Sequence, residues 1–213
     1  EQLQSIINLY TQGQLKQALS ESSEMLEKFP YSVDLYNIAG ASNAGLMQLD
    51  AAIDCYIQAI KIKPDYAEVY YNMGNALKSM GNLDSSIDSY KQAIKFKPDY
   101  AGAYNNMGVA LQDKGDFEAA IGIYRQALKI KPDYADAYNN LGSALNGNGD
   151  PEAAIESFQQ ALKIRPDSAE IKSNLLALLT SYTPQKENQN LIVTVNEVIR
   201  KIDIKNNSSN IIS

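Results

Sequence analysis

The chain has 213 residues, 45% of them hydrophobic and 21% charged, the balance of a folded protein and not of a wholly disordered one. A net charge of −6 argues against a nucleic-acid binder, which needs clustered Lys and Arg to displace counterions. Histidine is absent and Cys55 is the sole cysteine, which removes the commonest general base, any intrachain disulfide and any thiolate zinc cluster.

Taken in order, the chain repeats itself every 34 residues, with Pro30, Pro64, Pro98, Pro132 and Pro166 in one register. A fixed period of this length marks a stacked array of helix pairs. Residues 1–32 are a degenerate first copy in which Gly13, Ala18 and Pro30 keep register but Ser22 replaces the aromatic found at Tyr56, Tyr90 and Tyr124. That departure suits a terminal cap, one face of which meets water. Residues 33–66 form the second copy; Met47 stands where Gly81, Gly115 and Gly149 close the first helix in later copies, so its turn is expected to be the least regular. Residues 67–100, 101–134 and 135–168 are three clean copies. Residues 169–182 continue as a sixth, leucine-rich first helix that caps the array. A loop over 183–190, a short capping helix over 191–204 and a disordered tail or linker start complete the reading.

Within a copy the local signals agree. Asp65 with Glu68, and Asp167 with Glu170, have the spacing of a capping box at the start of a first helix. Gly81, Gly115 and Gly149 supply the left-handed backbone that ends it. Asp116 and Asp150 are expected to cap the second helix, with Pro151 suited to its first turn. Lys129 and Lys131, and their counterparts in other copies, face the negative dipole end before proline stops the helix. Tyr104, Met107, Gly108 and Leu111 share one face of a first helix, Gly108 letting a neighbouring backbone approach; Ala120, Tyr124, Ala127 and Leu128 share one face of a second. These aromatics read as core, their hydroxyl partners unnamed. Cys55, at a position shared with Ser89, Ile123 and Ser157, reads as a tolerated small side chain.

Copies such as YNNMGVALQDKGDFEAAIGIYRQALKIKP resemble the tetratricopeptide repeat, carrying its Tyr, Gly, Leu, Gly, Ala, Tyr, Ala and Pro positions in order. The resemblance runs from residue 1 to about 182. It implies an all-α, right-handed superhelical solenoid of antiparallel helix pairs whose first helices line a concave groove, and a protein- or peptide-binding role with no catalysis and no cofactor. Asn72-Met73-Gly74, Asn106-Met107-Gly108 and Asn140-Leu141-Gly142 further resemble the arrays that precede O-linked N-acetylglucosamine transferase-like domains. By that likeness the chain is alternatively the substrate-recruiting segment of a larger transferase- or oxygenase-type enzyme, an idea to which its start without Met lends weight.

At about 100° per residue, Gly102, Asn106, Val109 and Asp113 fall opposite the packing face of their helix and so point into the expected groove. Asn72, Asn106, Asn140 and Asn174 then form a ladder, with Asn75, Asn105 and Asn139 beside it and an acidic rim at Asp34, Glu68, Asp113 and Asp136. A carboxamide offers one acceptor and two donors, a natural match for a peptide unit, and in the resembling transferase arrays such asparagines hold an extended chain by its backbone. The rival reading has the same amides bonding between adjacent helices. A carboxylate clamp needs groove Lys and Arg and has only Lys78 near, so it is disfavoured; the acidic rim suits a ligand with some positive charge. No nucleophile with a base, phosphate loop or metal cluster is found, and Gly147-Asn148-Gly149-Asp150 lacks the strand a nucleotide loop requires. No run of about 18 apolar residues suggests membrane insertion. Self-association through the array ends and a cytoplasmic location complete the expectations.

Overall fold

The computed structural model describes residues Gln2–Ser181, and every regular element among them is an α-helix. The chain divides into two compact units, Glu1–Asp116 and Phe117–Ser213. The first contains α1 (Gln2–Thr11), α2 (Leu15–Lys28), α3 (Val33–Gly45), α4 (Leu49–Ile62), α5 (Ala67–Ser79), α6 (Leu83–Phe96) and α7 (Ala101–Asp113). The second contains, among the described residues, α8 (Phe117–Ile130), α9 (Ala135–Gly147), α10 (Pro151–Ile164) and α11 (Ala169–Ser181). The loop, helix and tail expected beyond residue 182 lie outside the described residues.

Within each unit, short connectors turn one helix back along the last, and each helix packs on the next. In the first unit α1, α3, α5 and α7 also touch one another in succession, and no comparable contact links α2, α4 and α6. In the second unit α9 touches α11 in the same way. The side chains that drive this sit at helical spacing. In α6, Ser86, Ile87, Ser89, Tyr90 and Ala93 are buried; in α10, Ala154, Ile155, Ser157, Phe158 and Ala161 are. Tyr56 and Tyr90 are fully enclosed. Each ring lies over a glycine of the preceding first helix: a Cβ added at Gly40 would stand 2.5 Å from Tyr56 Cε1, one at Gly74 2.6 Å from Tyr90 Cε1, and one at Gly142 2.8 Å from Phe158 Cε1. The small residue at this register therefore admits a ring from its own helix pair. At Gly40, Gly74 and Gly142 what approaches is an aromatic face, because the large residue of one helix is opposed by the small residue of the other.

The turns that follow first helices use the left-handed backbone expected of Gly81, Gly115 and Gly149, whose φ values are 78°, 82° and 84°. Met47 corrects the expectation of an irregular turn. It adopts φ 61° and its connector makes the same bonds as the glycine ones, Met47 N–H to Ala44 O at 3.0 Å and Gln48 N–H to Asn43 O at 2.9 Å, matched by Gly81 N–H to Lys78 O and Asn82 N–H to Leu77 O at 2.9 Å. Packing of α3 on α4 imposes the turn, and the methionine bears the strain.

Capping differs by one residue from the sequence reading. Tyr66, not Asp65, occupies the cap position of α5 and makes no side-chain capping bond. Before α11 the cap is Ser168, whose Oγ accepts the Ile171 N–H at 3.4 Å, as Ser32 accepts that of Leu35 before α3. The turn after each proline places the aspartate one residue too early to reach the free N–H groups. Asp150 does cap α10, accepting the Ala153 N–H at 3.1 Å, with Pro151 in the first turn.

Candidate peptide-binding face

The asparagines of the first helices meet across successive helix pairs. Asn72 of α5 donates from Nδ2 to Asn37 Oδ1 of α3 at 2.9 Å. Asn106 of α7 donates to the Tyr71 hydroxyl at 3.1 Å and to Asn75 Oδ1 at 2.8 Å, both on α5. In the second unit Asn174 of α11 donates to Asn139 Oδ1 of α9 at 3.0 Å. Three of these bonds span 35 residues, one repeat plus one, so the amide in one copy reaches the residue just before its counterpart in the previous copy. Asn139 is buried and donates onward to Glu170 Oε1 at 3.1 Å. Asn105 is buried as well, and its Nδ2 donates to Asn106 Oδ1 at 3.1 Å.

The face is thus a polar seam as well as a surface. Asn72, Asn75, Asn105 and Asn106 come together in the first unit, and Asn139 with Asn174 in the second, where Asn140 is half-buried on α9. Both N–H groups and the oxygen of Asn106 are taken up within the protein. Asn75 spends its oxygen on the amide of Asn106 and on the Tyr90 hydroxyl at 2.8 Å, keeping two N–H groups; Asn72 keeps its oxygen and one N–H. Asn72 and Asn75 are half-buried, so these groups face outward at the surface of α5. Asn37 and Tyr71 belong to the same network and were not singled out by sequence, and Tyr90, read there as core, joins it through its hydroxyl. For Asn37 and Tyr71 the available signal was the register one residue before the ladder, where positions 37, 71, 105 and 139 are Asn, Tyr, Asn and Asn.

The acidic residues are used unequally. Asp34 accepts the Tyr66 hydroxyl at 3.1 Å; burial, and then the Asp34 charge, push the Tyr66 phenol up to about 12. Asp136 pairs with the Arg165 guanidinium at 2.8 Å, and that contact raises the arginine further above its ordinary value. Asp113 and Glu68 are exposed, and Lys78 is half-buried. Around them lie ring contacts: Tyr71 meets Tyr100 at 4.8 Å and Tyr90 at 6.1 Å between centroids. Burial raises the Tyr56, Tyr90 and Tyr100 phenols.

Cys55 is half-buried, its Sγ accepting from Asn43 Nδ2 at 3.8 Å, and burial pushes its thiol up, away from the nucleophilic thiolate. Among the described residues, no group of three or more acidic or cysteine side chains is placed to hold a metal ion, and no helix is long and apolar enough to cross a membrane.

A segment of 70 residues is 37% identical to the probable UDP-N-acetylglucosamine–peptide N-acetylglucosaminyltransferase SEC of Arabidopsis thaliana; it is 33% of this chain and spans 7% of that protein's length. Among solved structures, MamA superposes with a TM-score of 0.69 at 26% identity, over 76% of this chain and 95% of its own. YrrB, described as a TPR protein with an unusual peptide-binding site, shares the fold at a TM-score of 0.66 and 20% identity, over 80% of this chain and 88% of its own. TTC0263 of Thermus thermophilus, described as a thermophilic TPR protein, does so at 0.66 and 18% identity, over 84% and 97%. Two family models of the tetratricopeptide repeat match, one over residues 99–167 and the other over 48–81 and 74–115. Together they span more than half of the sequence, and the chain belongs to the tetratricopeptide-repeat family.

Proposed function

We propose that this protein is a non-enzymatic scaffold that binds an extended segment of a partner protein along its first helices. What carries the reading is the amide capacity left over on α5: Asn72 and Asn75 are fixed by bonds to Asn37, Asn106 and Tyr90 and still present one acceptor and three donors at the surface. Fixed amides cost little to order on binding, and a peptide backbone offers one acceptor and one donor per residue. Asn106, Asn139 and Asn174 act in this reading mainly by setting the spacing of the helices. Asn105 is buried in the first unit, where Glu68 and Asp113 border the face; Asn140 and Asp136 border it in the second.

The test is capture of partners on immobilised protein, wild type beside Asn72→Ala, read by mass spectrometry with circular dichroism as the folding control. Loss of the captured set from a folded variant supports the reading, and an unchanged set moves binding to another face. A second reading, recruitment of substrates for a larger enzyme, draws on the 37% identity to the Arabidopsis transferase; the gene's full reading frame decides it. For docking end to end, the recess at α1 and α2 offers a mixed lining, Gln2, Ser5, Gln17, Ser20, Glu21 and Glu24 beside Ile6, Met25 and Lys28.

A further inference from the structure

Two neighbouring copies in the first unit carry the same side chains 34 residues apart and differ at one position that matters. Gly40 and Gly74, Tyr56 and Tyr90, and Asn72 and Asn106 are counterparts, but the acceptor Asn75 has Ala41 as its counterpart. The two tyrosine rings sit alike. A Cβ at Gly40 would stand 2.5, 2.8 and 3.0 Å from Tyr56 Cε1, Cδ1 and Cζ, and one at Gly74 2.6, 2.8 and 3.1 Å from the same atoms of Tyr90. The two amides are held alike as well: Asn72 donates to Asn37 and Asn106 to Tyr71, residues that are themselves counterparts.

In the later copy the other Asn106 bond and the Tyr90 hydroxyl both end on Asn75 Oδ1, each at 2.8 Å. In the earlier copy the same register directs the second Asn72 N–H and the Tyr56 hydroxyl at Ala41, which has no oxygen to offer. Among the described residues the Tyr56 hydroxyl has no hydrogen-bond partner, and Asn72 has only Asn37. The Tyr56 ring is enclosed, yet its hydroxyl is not among the sealed side-chain oxygens without a partner, which are those of Ser42 and Ser86. Ala41 and Asn72 are half-buried, so the place lies at the surface of α3 and α5. Burial, and then the Tyr10 phenol, raise Tyr56 above its ordinary value, and the hydroxyl stays a donor.

Donors fixed before a ligand arrives lose little freedom on binding, and donors covered without an acceptor are costly, so the place selects for an oxygen. We infer that it receives an amide carbonyl oxygen of a bound peptide, Tyr56 and Asn72 donating to it as Tyr90 and Asn106 donate to Asn75. The inference rests on the peptide-binding reading and adds Tyr56 and Ala41 to its residues. The neighbouring copy identifies the occupant, since the group that fills the same place there is itself a carboxamide oxygen. A carboxylate would meet no cation among these residues and would have Asp34 two turns away on the same face of α3.

The probe is N-acetyl-pentaalanine amide, whose only oxygens are amide carbonyls, titrated into the full chain by NMR with the Tyr56 ring and the Asn72 side-chain amide as reporters. Saturable shifts at both are expected. They should be about threefold to tenfold weaker for Tyr56→Phe, which breaks no bond within the protein and so keeps the fold, and absent for Ala41→Asn, which brings the protein's own amide oxygen to the place. Shifts given only by a peptide with a central Gln assign the oxygen to a side-chain carboxamide. No shift from either peptide, or shifts that survive Ala41→Asn, overturn the proposal. In urea, the change in midpoint made by Ala41→Asn should be more favourable with Tyr56 present than in the Tyr56→Phe background, and an equal change overturns the convergence of the two donors. Partner capture lost with Asn72→Ala but kept with Ala41→Asn overturns this inference alone. Capture unchanged by Asn72→Ala removes the peptide-binding reading, and the titration still decides whether the place takes an amide oxygen.

Discussion

Asn75 Oδ1 on α5 accepts the Tyr90 hydroxyl from α6 at 2.8 Å and, at the same distance, the Asn106 amide from α7. One oxygen therefore ties a helix pair together and ties it to the next. Replacing Asn75 with Ala leaves a buried hydroxyl and a half-buried amide without their acceptor, at a cost of about 2–3 kcal/mol. Urea denaturation checks this, and Asn72→Ala, which removes a single amide bond, should cost about 1 kcal/mol.

Gly74 is the counterpart of that contact on the carbon side. Its missing Cβ would stand 2.6 Å from Tyr90 Cε1, and the ring, fully enclosed, has nowhere to move. Gly74→Ala should destabilise by about 1–3 kcal/mol despite the better helix propensity of alanine. In the Tyr90→Leu background the same change should cost measurably less, a coupling that a double-mutant cycle reads directly.

Met47 holds a left-handed backbone at φ 61° where the equivalent turns use glycine, and the residue is 72% exposed. Nothing in the core depends on it. Met47→Gly should therefore raise stability by about 0.5–1 kcal/mol, the relief of strain exceeding the added freedom of the unfolded chain. A higher midpoint in urea with an unchanged slope is the expected result.

Alkali should unfold the protein through its tyrosines. Tyr66 is raised to about 12, and Tyr56, Tyr90 and Tyr100 are raised by burial too. A phenol whose folded value lies above the unfolded one contributes stability in full below about pH 10, and that contribution is lost as pH rises through the folded value. With 14 tyrosines and no tryptophan, tyrosinate absorbance is readable without overlap. It should lag behind free tyrosine and then rise together with the loss of helical circular dichroism.

The sequence by itself determined the helix pairs, because their causes are local. Proline and glycine at a 34-residue period set where helices stop and turn, and the 3.6-residue pattern of Tyr90, Ala93 and their counterparts set which face is buried. Where one residue decides a cap, as between Asp65 and Tyr66, the same local reading slipped by one position, since the turn after the proline is not encoded by spacing alone. The candidate site was legible as a register of amides and acids but not as a set of bonds. Whether Asn106 faces a ligand or Asn75 depends on a partner 31 residues away, and whether Lys97 covers a ring depends on where the connector places Tyr100. Those choices follow from how one helix pair stacks on the previous one. Only the tertiary structure makes them, because donors and acceptors of equal chemical merit are sorted by distance.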